Sequence, residues 1–369
     1  MLAGGASYAP VPDHPAQARL LHETFGIGTA IEEAISLVIA TSGSTGIPKG
    51  SQHTPATLAA SAAATATRLG GAGSWLLALP PHHIAGLQVL LRPLAAGFAA
   101  AVLDVSEGFE PDAFAAALDG LDGPRRHTSL VPTQLRKVLL SPRATAALAE
   151  VDAVLVGGAA TPEPLVRAAV DAGIRIVRTY GSSETAGGCV YDGRPLEGVR
   201  ITLADPDASG VGRVELSGPM IAHGYRRLAG HPSFPAPGTF RTDDLGQLDD
   251  GVLRIVGRAD EAISTGGLTV IPQVVEAVIA EDPTVAECAV IGLPDERLGA
   301  KVVAVVVASS TTTVDAQRIR DLVSERLERF AAPREVIEVA ALPLRGPGKI
   351  DRRALRARFA ALAPPNSVR

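Results

Sequence analysis

A ten-residue segment rich in Gly, Ser and Thr sets the interpretation of the whole chain: Thr41-Ser42-Gly43-Ser44-Thr45-Gly46-Ile47-Pro48-Lys49-Gly50. It follows a short apolar run and precedes an Ala-rich segment, which is the place of a loop between a strand and a helix. Glycines let the backbone approach a phosphate closely, hydroxyls add donors, and lysine supplies a positive charge. We therefore predict a phosphate-binding loop with the ligating residues Thr41, Ser42, Gly43, Ser44, Thr45, Gly46 and Lys49.

Two other interpretations of this loop are less favoured. A Walker A loop needs Gly directly before the Lys and Ser or Thr directly after it, whereas Pro48 and Gly50 stand at those places. A solvent loop rich in turn residues is the simpler alternative. Ten consecutive residues of this kind at a strand end make a solvent loop the weaker interpretation.

Outward from the loop, short β-branched or Leu-rich runs alternate with Ala-rich segments of helical length. This rhythm predicts βαβ units and a parallel sheet, with ligands at the carboxyl ends of its strands. The predicted strands are Ser36–Ala40, Trp75–Leu79, Ala100–Val105, Thr128–Val131, Ala153–Val156 and Arg175–Thr179. The predicted helices are Pro55–Arg68, Leu87–Ala96, Pro111–Leu118, Thr133–Leu140 and Glu163–Ala172.

The pattern changes after Tyr191 to short strands separated by Gly, Pro and Asp turns, and again after Gly257 to a mixture of helices and strands. We predict an α/β fold: layered sheets with βαβ units in a large N-terminal domain (residues 1–257), a small antiparallel β unit, and a smaller α+β C-terminal domain (residues 258–369).

Composition excludes several classes of protein. The 369 residues are 46% hydrophobic and 20% charged, with a net charge of −5, which is the composition of a globular protein without a general nucleic-acid-binding surface. Cys189 and Cys288 lie far apart without a CxxC spacing, so we expect two ordinary thiols and no zinc site. No leader or membrane-spanning segment is evident, and we expect a cytoplasmic protein without membrane insertion.

Four further segments, in a fixed order, accompany the loop. With it, they resemble the motifs of the adenylate-forming superfamily, which includes acyl-CoA synthetases, luciferases and the adenylation domains of peptide synthetases. The resemblance runs from about residue 36 to 355. The segments are Tyr180–Thr185 (YGSSET), Arg241–Gly246 (RTDDLG), Gly257–Glu261 (GRADE) and Leu342–Arg353 (LPLRGPGKIDRR).

This resemblance implies two half-reactions that use ATP and CoA with Mg²⁺. A carboxylate attacks the α-phosphate of ATP to give an acyl-adenylate and pyrophosphate, and a thiol then displaces AMP. By resemblance Lys349 contacts the carboxylate and the α-phosphate, Glu184 lies near Mg²⁺, and the Thr185 hydroxyl contacts the α-phosphate. A surface lysine among arginines is the alternative for Lys349.

The same resemblance assigns the other nucleotide contacts. Tyr180 would stack on adenine, with ordinary core packing as its alternative, and Gly181 would belong to the same ATP-binding set. Asp244 and Arg258 would bind the ribose, although a surface salt bridge is the simpler role for Arg258, and Asp243 stands where the family usually has glycine. Gly158 and Ala159 would flank adenine, Asp260 is the hinge about which the smaller domain turns, and the Gly266-Gly267 pair, otherwise a tight turn, would face CoA.

One segment narrows the substrate. Leu79–Arg92 resembles the acyl-pocket segment of the 2-succinylbenzoate:CoA ligases of menaquinone biosynthesis. Their substrate is a dicarboxylate, so a cation should bind the carboxylate that does not react. Arg92 is the candidate, because an unpaired arginine is costly to bury in an apolar helix; an arginine facing water at the helix end is the alternative. His83 would lie beside the acyl group or be a core histidine, and Ser129, Thr133 and Gln134 would add polar groups to the pocket.

Three functions remain open from sequence: a 2-succinylbenzoate:CoA ligase, a compact acyl- or aryl-CoA synthetase for a monocarboxylate, and a non-catalytic AMP-binding protein. The residues that match Lys349 and Glu184 argue against the third. The chain resembles a form of the family that is truncated at its N-terminus. A homodimer is one way to cover the sheet face that this would leave open.

Overall fold

A computed structural model describes residues 1–41, 47–309, 313–345 and 349–360. The strands in these residues are Leu37–Ala40 (β1), Gly50–His53 (β2), Ser74–Leu77 (β3), Ala100–Val102 (β4), Arg126–Leu130 (β5), Ala153–Val156 (β6), Ile176–Ser182 (β7), Gly187–Tyr191 (β8), Arg194–Pro195 (β9), Arg200–Ala204 (β10), Gly212–Ser217 (β11), Gly224–Tyr225 (β12), Thr239–Asp249 (β13), Val252–Arg258 (β14), Ile263–Thr265 (β15), Leu268–Val270 (β16), Val285–Asp295 (β17), Gly299–Ala308 (β18), Glu335–Glu338 (β19), Leu344–Arg345 (β20) and Lys349–Ile350 (β21).

The α-helices in the same residues are Pro15–Phe25 (α1), Pro55–Arg68 (α2), Ile84–Ala95 (α3), Pro111–Asp119 (α4), Pro132–Leu139 (α5), Pro142–Ala149 (α6), Glu163–Asp171 (α7), Pro272–Ile279 (α8), Ala316–Arg326 (α9) and Arg352–Ala360 (α10). Many begin with proline at the first turn, where its missing N–H is not needed. None of the described helices is long and apolar enough to cross a membrane.

The chain divides into two units. The first comprises Met1–Ala204, Val214–Thr242 and Leu248–Leu253, and the second comprises Asp205–Arg213, Asp243–Gln247 and the described residues from Arg254 onward. The chain passes from one unit to the other within strands β11, β13 and β14. The domain boundary at residues 257/258 and the hinge at Asp260 stay predictions.

The first unit contains a seven-stranded sheet in the order β4-β3-β5-β6-β7-β8-β9. Its strands β4, β3, β5, β6 and β7 are parallel, as the βαβ rhythm predicts. Alternating side chains serve two cores: Trp75 and Leu77 pack with α2 and α3, whereas Leu76 packs with α4, α5 and α6. The predicted α/β class with βαβ units in the large N-terminal part is confirmed.

One predicted strand belongs elsewhere. β1 is not part of the parallel sheet, as its sequence had suggested, but pairs antiparallel with β2, and β2 pairs antiparallel with β12. The strand β2 follows the phosphate loop so closely that the chain folds back on itself, which is possible only for antiparallel strands. The loop therefore connects two neighbouring antiparallel strands.

The second unit has a three-stranded sheet in the order β17-β18-β19, with helices on both faces. Val290 and Val302 pack with α8 and α9 on one face, and Ile291 and Val303 pack with Leu355 of α10 on the other. The smaller α+β region predicted for the C-terminal part is confirmed.

Candidate active site

The phosphate loop is closed at its base by its own backbone. The Thr41 amide donates to the Lys49 carbonyl at 2.8 Å, and the Lys49 amide donates to Thr41 Oγ1 at 3.3 Å. The other predicted phosphate ligands, Ser42, Gly43, Ser44, Thr45 and Gly46, lie outside the described residues. The described ends of the loop place Lys49 directly before β2.

The Lys49 side chain meets a residue that the motifs do not identify. Its ammonium nitrogen lies 4.7 Å from the centre of the Tyr225 ring, and the hydroxyl of Tyr225 donates to Glu184 Oε1 at 2.6 Å. Glu184 and Tyr225 are 6% and 5% exposed. Two of the predicted groups, Lys49 and Glu184, therefore contact the same buried tyrosine, Lys49 at the ring face and Glu184 at the hydroxyl.

The signature Tyr180–Thr185 spans the end of β7 and a short 3-10 turn at Ser183–Thr185. The buried Thr185 hydroxyl accepts from the Ser182 amide at 2.8 Å and donates to the Gly187 carbonyl at 2.6 Å. The hydroxyl therefore shapes the turn that presents Glu184. Its contact with an α-phosphate stays a prediction, and it requires this hydroxyl to change partners.

Two other residues of the signature, Gly181 and Tyr180, have structural roles. A Cβ atom on Gly181 would lie 2.2 Å from the Gly187 carbonyl oxygen, so only glycine permits the close approach of β8. Tyr180 is partly buried and packs against the core, as the simpler interpretation proposed. Stacking of Tyr180 on adenine stays a prediction.

His53 of β2 also supports the signature, and no motif identifies it. Its Nε2 donates to the Ser183 carbonyl at 2.7 Å, and the residue is fully buried. Burial lowers the pKa of His53 to about 4, against the opposing effect of the Ser183 carbonyl. The neutral imidazole therefore fastens β2 to the turn that carries Glu184.

Two loops at the carboxyl ends of parallel strands lie where α/β proteins bind ligands. Gly158 and Ala159 are exposed directly after β6, and Gly158 has the positive φ of +80°. Ser129 is buried near the end of β5, and Thr133 is half-buried in the first turn of α5. Both polar atoms of the Gln134 side chain bond to the main chain: Nε2 donates to the Ala78 carbonyl, and Oε1 accepts from the Val131 amide.

The acyl-pocket segment forms the end of β3 and helix α3. His83 is the residue before the first turn of α3, and its ring centre is 4.4 Å from that of His82. A cavity of about 380 Å³ that His82 borders, but His83 does not, is lined by Met1, Tyr8, Ala9, Pro10, Val11, Asp13, Pro81, His82 and Leu87. The structure thus places His83 half-buried at the entrance of α3.

Arg92 is buried, being only 7% exposed, so its interpretation as a helix-end arginine facing water is wrong. Its guanidinium stacks 5.1 Å from the centre of the Trp75 ring and donates to the Tyr191 hydroxyl at 3.4 Å, while its Nε has no partner in the described part of the chain. No carboxylate among the described residues pairs with it. A cavity of about 10 Å³, room for about one water molecule, adjoins the side chain.

His127, on β5, lies in the same region, 4.9 Å from the Trp75 ring. It is 1% exposed, and neither ring nitrogen makes a well-formed hydrogen bond to the residues that the structure describes. Burial lowers the pKa of His127 to about 4, against the opposing charge of Asp152. Protonation of His127 is therefore disfavoured in the folded state.

We expect the protein to lose stability between pH 6.5 and pH 4. Unfolding returns His53 and His127 to a pKa near 6.5, so the unfolded state takes up protons that the folded state does not. The stabilising contribution is complete above pH 6.5 and is lost as the pH falls towards 4, by roughly 2 kcal/mol for each imidazole between pH 7 and 5. Urea unfolding at the two pH values measures this difference.

The His127→Leu variant tests the assignment. Its free energy of unfolding at pH 7 should equal that of the wild type. The decrease in this free energy between pH 7 and pH 5 should be roughly half that of the wild type. The exposed His22, changed to Gln, serves as the control and should leave the difference between the two pH values unchanged. An unaltered pH dependence in His127→Leu would show that His127 titrates normally.

In the second unit, the predicted ribose-binding and hinge residues are brought together. Arg258 donates to Asp244 Oδ1 at 3.2 Å and forms a two-point pair with Asp260 at 2.9 Å for both bonds. Asp243 pairs with Arg213 and lies 3.7 Å from Arg258. Burial disfavours the charge of Arg258, but the neighbouring carboxylates outweigh this effect and raise its pKa.

Two further predicted regions lie in the second unit. Gly266 and Gly267, with φ of +59° and +80°, form the two-residue turn between β15 and β16, a hairpin turn that needs positive φ. The tight-turn interpretation is confirmed, and a contact with CoA stays a prediction. Lys349 is half-buried at the start of β21, where it pairs in register with Arg345.

Glu184 is the residue that could bind Mg²⁺ in this site. No group of three His, Cys, Asp or Glu side chains among the described residues could hold a metal by itself. Mg²⁺ typically takes one or two protein carboxylates together with water and substrate phosphates. Glu184 is a hard oxygen donor without a basic partner in the described part of the chain, and only one of its oxygens is engaged by Tyr225. The residues therefore fit a phosphate-bound Mg²⁺.

The comparisons with known proteins agree with these motifs. The family described as "AMP-binding enzyme" matches residues 18–226, and "AMP-binding enzyme C-terminal domain" matches residues 274–349. A "Probable 2-succinylbenzoate--CoA ligase" from Mycobacterium tuberculosis is 51% identical over 95% of this chain and 91% of its own length. An "Indoleacetate--CoA ligase" from Aromatoleum aromaticum is 32% identical over 87% of this chain and 66% of its own length.

A solved structure agrees as well. The o-succinylbenzoate CoA synthetase (MenE) from Bacillus subtilis, in complex with the acyl-adenylate intermediate OSB-AMP, superposes with a TM-score of 0.74 at 27% identity. The match covers 90% of this chain and 72% of that one. The resemblance predicted from the five motifs is confirmed, and the chain belongs to the AMP-binding enzyme family.

Proposed function

We propose that this protein is an ATP-dependent 2-succinylbenzoate:CoA ligase of menaquinone biosynthesis. The observation that carries the proposal is the 51% identity to the ligase from M. tuberculosis over 95% of this chain. The buried Arg92, which has no carboxylate partner among the described residues, adds support from the structure. A ligase for a monocarboxylate is the second candidate, since the indoleacetate ligase is also a relative.

The first half-reaction joins a carboxylate to the nucleotide. A carboxylate oxygen forms a bond to the α-phosphorus of ATP, and the bond to the pyrophosphate oxygen breaks. Negative charge accumulates on the phosphate oxygens, so fixed positive charge and donors stabilise the transition state. Lys49 and the phosphate loop would hold the phosphates, and Lys349 would contact the α-phosphate and the entering carboxylate.

Glu184 would hold Mg²⁺, which when bound neutralises part of the phosphate charge. The Glu184 carboxylate is well suited to this task because its burial and its bond to Tyr225 fix its orientation. Asp244 would accept hydrogen bonds from the ribose hydroxyls. Arg258, the second proposed ribose contact, orients that carboxylate by a hydrogen bond to its Oδ1.

The second half-reaction transfers the acyl group. The sulfur of CoA forms a bond to the acyl carbon, the bond to the AMP oxygen breaks, and the thiol proton is released. We propose that the C-terminal domain, residues 258–369, turns about Asp260 between the two steps, with Gly266 and Gly267 facing CoA in the second. A cytoplasmic location and a homodimer stay predictions.

The experiment that tests this function is a product analysis. Purified protein is incubated with ATP, Mg²⁺, CoA and 2-succinylbenzoate, and the CoA thioester, AMP and pyrophosphate are measured by mass spectrometry. Thioester formation supports the proposal. Turnover of indoleacetate or another monocarboxylate without turnover of 2-succinylbenzoate supports the second candidate, and no product from a wide panel of acids would indicate a non-catalytic AMP-binding protein.

We expect Arg92→Ala to raise the KM for 2-succinylbenzoate by about 100-fold and to leave the KM for ATP unchanged. Truncating one partner of a buried charge pair costs roughly 2–5 kcal/mol, a factor between about 30 and 5000, and a 100-fold rise lies within this range. The small cavity beside Arg92 means that the guanidinium or its neighbours must move to admit a carboxylate. Steady-state kinetics with each substrate varied in turn measures both constants.

Two variants control this experiment. Arg92→Lys keeps the charge and loses the two-point geometry, so its KM should lie between those of the wild type and Arg92→Ala. Arg68→Ala removes an exposed arginine of the same unit, which pairs with Asp192, and should leave both constants unchanged. Equal rises in the KM for both substrates would contradict the role of Arg92 in the acyl pocket.

A further inference from the structure

We propose that Tyr225 is a positioning residue, which fixes the Glu184 carboxylate and the Lys49 ammonium group relative to one another for the phosphates of ATP and their Mg²⁺. The inference rests on the proposed function, because it assigns both groups to the nucleotide. It adds a residue that none of the five motifs contains. Every contact that carries it lies within the first unit.

The backbone fixes the place of Tyr225 beside the phosphate loop. Strand β12 pairs antiparallel with β2, so that Tyr225 lies opposite Ser51, and the Arg226 amide donates to the Gly50 carbonyl at 2.7 Å. Lys49 directly precedes β2. The ring and the lysine therefore start from two backbone segments that are joined by hydrogen bonds.

Aromatic neighbours fix the orientation of the ring. His231 contacts it edge-on, with the ring centres 4.8 Å apart and the planes at 90°, and Phe234 contacts it at 5.0 Å and 77°. Such edge-to-face packing is favourable and directional. These two contacts therefore fix the orientation of the Tyr225 ring and of its hydroxyl group.

Tyr225 then contacts two charges of opposite sign with two different parts of its side chain. The ring face attracts the Lys49 ammonium group through its electron density, at 4.7 Å from the ring centre. The hydroxyl donates a charge-assisted hydrogen bond to Glu184 Oε1 at 2.6 Å. The Tyr225 side chain therefore fixes the positions of both charged groups.

The backbone next to Tyr225 also holds Glu184. The Ala222 amide donates to the Glu184 carbonyl at 2.8 Å, so the segment that ends in Tyr225 contacts both the main chain and the side chain of Glu184. Because the hydroxyl occupies Oε1, the carboxylate offers its other oxygen, Oε2, to a ligand. A carboxylate that is already oriented binds a metal without a further loss of rotational freedom.

The test separates the hydroxyl from the ring. In Tyr225→Phe the contact with Lys49 stays and the bond to Glu184 is lost, and in Tyr225→Leu both are lost. Tyr191→Phe is the matched control, because this buried tyrosine also loses hydroxyl hydrogen bonds, to Thr65 and Arg92, without touching Lys49 or Glu184. Because Arg92 is assigned to the carboxylate substrate, pyrophosphate release is measured at a saturating concentration of the acid. Calorimetry measures the binding of ATP with Mg²⁺ and of ATP with EDTA, and a Mg²⁺ titration of pyrophosphate release gives the midpoint for activation.

For Tyr225→Phe we expect the Kd of MgATP and the Mg²⁺ midpoint to rise about tenfold, as follows from loss of one charge-assisted hydrogen bond, while the Kd of metal-free ATP stays unchanged. Tyr225→Leu should in addition raise the Kd of metal-free ATP, because the Lys49 ammonium group loses its contact with the aromatic ring. Tyr191→Phe should lower the melting temperature comparably and keep the Mg²⁺ midpoint. Unchanged Mg²⁺ dependence in Tyr225→Phe, or an equal shift in Tyr191→Phe, would overturn the proposal.

The two proposals fail in different ways. If the wild type binds MgATP and releases pyrophosphate with another acid, the choice of 2-succinylbenzoate fails and the role of Tyr225 can still be tested with that acid. If the wild type does not bind MgATP at all, the proposed function fails and the role of Tyr225 is overturned with it. If the wild type behaves as expected and only Tyr225→Phe does not, the inference about Tyr225 alone is wrong.

Discussion

Lys349→Ala should lower the rate of acyl-adenylate formation by about 100- to 1000-fold, which is the usual cost of removing one group that stabilises a developing oxyanion. The rate of thioester formation from a chemically prepared acyl-adenylate should change much less. In the first step, charge accumulates on the α-phosphate that Lys349 is proposed to contact. In the second, the proposed turn about Asp260 carries the lysine away from the reacting carbon.

The local structure allows a clean substitution at this position. Lys349 begins β21, and the main chain there is anchored three residues later by Arg352, which donates to Glu276 at 2.6 and 2.7 Å and pairs with Glu261 at 3.2 Å. These ion pairs do not involve the Lys349 side chain. The anchor and the fold of α10 should therefore survive its truncation.

Pyrophosphate release measures the first half-reaction, and CoA thioester formation from the acyl-adenylate measures the second. Lys349→Arg, which keeps the charge, should recover part of the first rate. Lys301→Ala is the control, because it removes another lysine of the same unit, which pairs with Glu335. An equal loss in both half-reactions, or in neither, would show that Lys349 does not act in the first step.

Membership of the AMP-binding enzyme family could be predicted from the sequence because each of the five motifs is a local feature. Asp244 and Arg258 were assigned to one ribose from motifs 14 residues apart, and the structure joins them by a hydrogen bond at 3.2 Å. The parallel strands were also predictable, since buried strands of a βαβ sheet are continuous apolar runs. These features depend on short segments that carry their own signal.

The place of β1 was not predictable from such signals. Its partner β2 consists of Gly50, Ser51, Gln52 and His53, which show no apolar alternation, and the third strand of that sheet follows about 170 residues later, at Gly224. Pairing between distant segments leaves no periodic pattern in either one. An apolar run before a helix was therefore assigned to the larger sheet.

The same reason explains the contacts around Glu184 that the sequence does not reveal. Tyr225 and His53 act on Glu184 and Ser183 across 41 and 130 positions, and no spacing rule connects them. The motif predicts a contact of Thr185 with the α-phosphate, which stays a prediction, but it does not reveal that the hydroxyl bonds to backbone groups of its own turn. Short hydroxyl side chains often bond to nearby backbone in this way, and only the structure shows which partner they have.

Glu184→Gln is the second substitution for which we expect a large effect, a loss of about 100- to 1000-fold in pyrophosphate release at a Mg²⁺ concentration that saturates the wild type. The amide has almost the same shape as the carboxylate, and its oxygen can still accept the hydrogen bond from the Tyr225 hydroxyl. The fold should therefore be kept, while the negative charge that would attract Mg²⁺ is removed. Thermal unfolding checks the first point, and Mg²⁺ titrations of ATP binding and of pyrophosphate release check the second.

Glu215→Gln provides the control, since it neutralises a glutamate of the same unit that pairs with Arg241, and its Mg²⁺ dependence should match that of the wild type. Wild-type Mg²⁺ dependence in Glu184→Gln would mean that this carboxylate does not hold the metal. The double variant Glu184→Gln with Tyr225→Phe gives a further test by non-additivity. If Tyr225 acts on Mg²⁺ through Glu184, removing its hydroxyl should not shift the Mg²⁺ midpoint again once the carboxylate is gone, whereas an independent tenfold shift would place the two residues in separate roles.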